Sequence, residues 1–123
     1  MSPTDESGTL DACPFCQIVA GALPARILWE TDTVVAFRDI APAAPVHALV
    51  VPRLHLADAL SIEMAHATLL AEMFVVARRV AEAEGVAVSG FRLVLNVGDD
   101  GGNTVGHLHL HVLGGRPMAW PPG

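Results

Sequence analysis

Positive charge is scarce in this chain: 7 Lys+Arg stand against 13 Asp+Glu, a formal net charge of −6. That balance gives a phosphate backbone no footprint and argues against nucleic-acid binding. Cysteine is nearly absent. The two present, Cys13 and Cys16, stand as C-P-F-C, which excludes the disulfide framework of a small secreted domain. No apolar run reaches the roughly 18 residues of a membrane span, because charges, His, Gly or Pro interrupt each one. The opening residues, MSPTDESGTLDA, lack the basic and apolar regions of a signal peptide, so a cytoplasmic location with no membrane partner is expected.

At 123 residues, 52% hydrophobic and 16% charged, the composition is too apolar for disorder and ample for one core. Residues 1–12 read as a flexible polar tail and residues 13–123 as a single domain without internal repeats. Residues 16–21 (CQIVAG) suit a short helix stopped by Gly21. Residues 26–30 (RILWE) and 34–38 (VVAFR) read as strands joined by a hairpin, and residues 46–51 (VHALVV) as a third strand closed by Pro52. Ser61 is the expected N-cap of one long helix, with Ile62, Leu69, Met73, Val76 and Val80 forming its apolar stripe and Gly85 ending it. Residues 91–97 (FRLVLNV) and 107–113 (HLHLHVL) supply a fourth and a fifth strand. Strands with short connections and one long helix predict an α+β fold on an antiparallel sheet.

Six histidines are the unusual component. His107, His109 and His111 alternate with Leu108, Leu110 and Val112, so a strand would put three imidazoles on one face and three apolar groups in the core. A solvent-facing polar strand would ordinarily carry Thr, Lys or Glu there. On spacing alone, a three-histidine catalytic zinc site is a rival. The preceding loop favours another ligand: GDDGGNTVG has four glycines in nine residues, with an amide and a hydroxyl beside them. Close backbone approach and free N–H groups suit a phosphate.

The run His107-Leu108-His109-Leu110-His111-Val112-Leu113 resembles the signature of the histidine triad (HIT) family. The segments FRDIAPAAPVHALVVPRLH and GGRPMAWPPG resemble that family's ribose-site segment and the C-terminus of its Hint branch, so the likeness runs from Cys13 to the end. It implies a homodimer joining two five-stranded sheets, each with one long and one short N-terminal helix. It also implies a nucleotidyl hydrolase acting on purine nucleoside phosphoramidates, such as adenosine monophosphoramidate and AMP-lysine. The alternatives are a dinucleoside polyphosphate hydrolase and a non-catalytic purine-nucleotide-binding regulator.

By this resemblance His109 is the nucleophile, its Nδ1–H given to a carbonyl in the strand that carries His47. His47 supports the network, and His111 donates to a phosphate oxygen. Thr104 stands where the branch has Ser and can reach the phosphate or the leaving nitrogen. Asn96 and the backbone of Gly102 and Val105 complete the phosphate cradle. Asp39 takes the ribose hydroxyls, and Ile18, Phe37, Ile40 and Leu49 form the base slot. Trp120 is expected near the partner's substrate site. Cys13, Cys16, His55 and His107 match the ligands of a structural zinc, the competing reading being two ordinary thiols. Asn103 departs from the family's Gln, and Gly106 from an aromatic residue.

Overall fold

Residues 34–37 and 48–51 are uninterrupted apolar runs, the pattern of strands covered on both faces. The computed structural model, which describes residues 13–123, bears this out; the tail expected over residues 1–12 lies outside the described residues. Strands β1 (Ile27–Glu30), β2 (Val34–Arg38), β3 (Val46–Pro52), β4 (Phe91–Val94) and β5 (Leu110–Gly114) form one antiparallel sheet in the order β1-β2-β3-β5-β4. Helix α1 (Pro14–Val19) lies on one face and helix α2 (Ala67–Ala83) on the other. Val34, Ala36, Ala48, Val50, Leu110 and Val112 pack with Met73, Val76 and Val80 of α2. Val35, Phe37, Leu49 and Val51 point the other way, against Cys13 and Phe15. The expected α+β fold, with five antiparallel strands, one long helix and one short one, is the fold observed.

The short helix runs two residues earlier than expected, Pro14–Val19, and three boundaries differ by more. Ser61 does not start the long helix, because Asp58 caps a separate 3-10 turn over Ala59–Ser61, its Oδ1 accepting from Leu60 N at 2.9 Å. Ile62 and Glu63 are then extended, a second 3-10 turn covers Met64–His66, and α2 follows. Gly85 ends it as expected, at φ +77°, a conformation that side-chain-bearing residues rarely adopt. β4 stops at Val94 rather than Val97. β5 begins at Leu110, so of the three triad histidines only His111 is in the strand. Leu108 N–H bonds Leu56 O at 2.6 Å instead of a sheet neighbour, which turns the chain around the end of β3.

Long-range polar ties fix the outer elements. Thr31 and Thr33, in the β1–β2 turn, both donate to the Glu72 carboxylate on α2, and Arg38 pairs with Glu84. No helix among the described residues is long and apolar enough to cross a membrane.

Candidate active site

β3 and β5 pair so that Leu49 lies opposite His111 and His47 opposite Leu113. The imidazoles of His47 and His111 therefore meet diagonally on the face that α1 covers only in part. Their hydrogen bonds determine which nitrogen carries each proton. Ala43 N–H donates to His47 Nδ1 at 3.0 Å, so the proton of neutral His47 is on Nε2. That Nε2–H donates to His111 Nδ1 at 2.9 Å, with Asp39 Oδ2 3.4 Å away. His111 must then carry its proton on Nε2. Burial pushes His47 below the usual imidazole value, against the pull of Asp39. Burial, helped by the His109 and His47 imidazoles, pushes His111 down to about 4. His111 is thus a neutral donor at neutral pH.

His109 is fixed in the opposite sense. Its Nδ1 lies 2.7 Å from His107 O, and a carbonyl only accepts, so the proton is on Nδ1 and the lone pair on Nε2. The acceptor is the carbonyl of His107 in its own segment, not one in the β3 strand. The turn that keeps His107 and His109 out of β5 folds the ring back onto its own chain. His109 is 7% exposed, and its ring lies 5.0 Å from that of His111.

Both rings line a cavity of about 410 Å³. The expected Ile18, Phe37, Asp39, Ile40, Leu49, Thr104 and Val105 line it too. Ile40 remains 96% exposed, so it forms a lip and not a buried wall. Asp39 Oδ1 caps its own turn, accepting from Ala41 N at 2.9 Å, while the carboxylate retains acceptor capacity toward the cavity. Pro14, Phe15, Leu23, Pro24, Ala25 and Arg38 also line the cavity, beyond the residues the sequence suggests. For Phe15 the signal is its place inside C-P-F-C, between two cysteines that the α1 end holds close to this cavity.

The glycine loop is organised differently from the expected cradle. Gly102 N–H donates to Asp99 O and Asn103 N–H to Gly98 O, both at 3.0 Å. The Gly102 amide is therefore used inside the turn and not free for a phosphate. A Cβ at Gly101 would meet Val97 O at 2.1 Å, so that position admits only glycine. Asn96 Nδ2 donates to Gly101 O at 2.7 Å and pins the loop. Asn96 lines a second cavity, of about 450 Å³, with His47, His111, Arg92 and Arg116. Pro121, Pro122 and Gly123 close it, whereas Trp120 is not among the lining residues and is 83% exposed. The tail thus lies beside the chain's own His111.

Cys13, Cys16, His55 and His107 come together at the N-terminus of α1, with one donor atom from each within 4.8 Å of the others. Cys13 Sγ and Cys16 Sγ each lie 3.3 Å from His107 Nδ1, and His55 Nδ1 lies 3.1 Å from both Cys16 Sγ and His107 Nδ1. Tetrahedral zinc with ordinary bond lengths separates such donors by roughly 3.3–3.6 Å, so the group fits with little adjustment. His107 Nε2–H donates to Pro52 O at 2.9 Å, which turns the Nδ1 lone pair toward the sulfurs, as a metal-ligating histidine requires. Burial holds His107 down to about 4, and burial with the adjacent Cys13 thiol pushes Cys16 up to about 12. These residues form a possible Cys2His2 metal site. Asp39, His47 and His111 also cluster, but there the His47 Nε2–H occupies the position a cation would need.

On this sheet a carbonyl-anchored imidazole faces a cavity of about 410 Å³. The HIT domain matches residues 20–118, and the chain belongs to the HIT family, as a hydrolase of that type. It is 40% identical over 104 residues to the purine nucleoside phosphoramidase of Escherichia coli, covering 85% of this chain and 87% of that one. It is 46% identical over 109 residues to an uncharacterized HIT-like protein of Synechococcus elongatus, covering 89% and 95%. The crystal structure of a HIT family hydrolase from Legionella pneumophila superposes with a TM-score of 0.88 at 46% identity, over 90% of this chain and 99% of that one.

Proposed function

We propose that this hydrolase cleaves the P–N bond of purine nucleoside 5'-phosphoramidates through a covalent nucleotidyl-histidine intermediate. The observation that carries the proposal is the His109 tautomer: Nδ1–H is held by His107 O, and the Nε2 lone pair is left for a phosphorus in the cavity. His109 Nε2 bonds to the α-phosphorus as the P–N bond breaks, and the leaving nitrogen takes the Thr104 hydroxyl proton, which solvent water replaces. The imidazole retains Nδ1–H and so becomes an imidazolium, itself a good leaving group. Water then attacks phosphorus, releases the nucleoside monophosphate and gives its proton to solvent, and neutral His109 returns. His111 Nε2–H stabilises the charge growing on a non-bridging oxygen. Asp39 binds the ribose, and Phe37, Leu49 and Ile18 enclose the purine base. The 40% identity to a purine nucleoside phosphoramidase supports the substrate class.

Zinc is the proposed occupant of Cys13, Cys16, His55 and His107, where it supplies cross-linking and no step of the chemistry. A cytoplasmic homodimer is also proposed. β4 is a sheet edge, and Phe74 and Val75 on α2 are 47% and 45% exposed. Such an edge and such side chains suit burial against a second copy.

A second reading, hydrolysis of dinucleoside polyphosphates, is favoured by Arg92 and Arg116 in the cavity beyond His111, where a polyphosphate leaving group would sit. Steady-state kinetics on adenosine 5'-phosphoramidates and diadenosine polyphosphates decide between them. A higher kcat/KM for the phosphoramidate is expected; the reverse order would replace the first reading with the second.

A further inference from the structure

Phe15 lies in sequence between the two thiols of the metal cluster, yet its ring belongs to the other site. It packs edge-on against Phe37, His107 and His109, with centroids 5.4, 6.0 and 5.2 Å away. Phe15, Phe37 and His109 line the nucleoside cavity, whereas His107 belongs to the cluster and its carbonyl fixes the His109 ring. The two sites therefore share α1 as a wall, Cys13 and Cys16 on one side and Pro14, Phe15 and Ile18 on the other. A helix of six residues does not hold its shape alone. Its thiols and its phenyl ring dock it, and a change in one attachment is felt at the other.

We propose that Phe15 is a positioning residue that couples cation occupancy of the Cys13/Cys16/His55/His107 cluster to nucleotide binding at His109. This rests on the nucleotide and zinc readings above. Coupling of this kind is reciprocal: zinc tightens nucleotide binding by the factor by which nucleotide tightens zinc binding. The ring that closes the cavity beside His109 is anchored by residues on either side of it in the chain, so ordering α1 for one ligand orders it for the other.

The test uses the full chain loaded with Zn²⁺ and follows equilibrium zinc transfer to a chromophoric chelator, with and without saturating AMP. AMP is expected to tighten zinc retention about tenfold, within the range usual for coupled sites. In Phe15→Leu, or in Phe15→Met should the first not fold, AMP affinity falls with the loss of the cavity wall and zinc is still held, but at AMP concentrations that saturate the variant the AMP effect on zinc falls to near unity. Zinc retention indifferent to AMP in the wild type, with AMP binding established by calorimetry, would overturn the coupling and leave the nucleotide reading intact. Coupling that persists in the Phe15 variant would mean that zinc acts only through overall folding, and Phe15 would lose its assigned role. Failure to bind AMP in any form would remove the nucleotide reading and this inference with it.

Discussion

His107 and His111 stand two residues to either side of His109, and burial pushes both imidazoles down to about 4, yet the two flanks are different places. His107 is fully buried, gives its Nε2–H to Pro52 O and turns a lone pair toward two thiols. His111 is half-buried between two cavities, accepts from His47 at Nδ1 and turns an N–H outward. The partner of its second nitrogen leaves the same side chain a lone pair fit for a metal on one flank and an N–H donor on the other. His109, between them, takes its tautomer from the His107 side, through the His107 carbonyl, and shares its cavity with His111.

The sharpest way to break this comparison is to remove its centre. His109→Gly should lower kcat by on the order of 10⁴ or more, as loss of a nucleophile does, while AMP affinity changes little because Asp39 and the apolar slot remain. Wild-type-like single-turnover rates in that variant would sink the nucleophile assignment. On the donor flank, His111→Leu should cost about 10²–10³ in kcat, the usual effect of deleting one oriented donor. An unchanged kcat with raised KM would reassign His111 to ground-state binding. On the ligand flank, the Cys13→Ser/Cys16→Ser pair should abolish stoichiometric zinc and lower Tm by roughly 10 °C or more, a few kcal/mol in a chain of this size. Metal analysis with calorimetry checks it, and full zinc retention in the double variant would make the C-P-F-C an ordinary pair of thiols.

Much of this arrangement was legible in the sequence, for a definite reason. The apolar runs of β2 and β3 and the stripe through Met73, Val76 and Val80 are side-chain patterns, and side-chain patterns are what a sequence displays. The tautomers were not legible, because their determinants are backbone groups: Pro52 O, His107 O and the Ala43 N–H. Any residue type supplies those groups, so only the fold reveals them. The start of α2 departs from the sequence expectation because Ser61 and Asp58 are both good caps, and Asp58 caps a short turn of its own. The triad read as one strand, and the turn before Leu110 made it two environments.

The smallest expected effect separates the flanks by pH. His111 titrates near 6.5 when unfolded and at about 4 when folded, burial being the main cause and the neighbouring His109 and His47 imidazoles adding to it. Between those values the unfolded chain binds the extra proton, so stability rises with pH through this window. The contribution of a neutral, buried His111 is thus complete above about 6.5 and is lost as pH falls toward about 4. Zinc loss through thiolate protonation has the same sign, so the wild-type profile alone cannot separate the two. The difference between wild type and His111→Asn can, since both proteins keep the cluster. Urea midpoints at saturating zinc should show the variant gaining on the wild type between about pH 7 and about pH 5. A constant difference across that range would mean that His111 is charged, or freely solvated, in the folded protein, and the donor flank would lose the neutral tautomer on which its contrast with His107 rests.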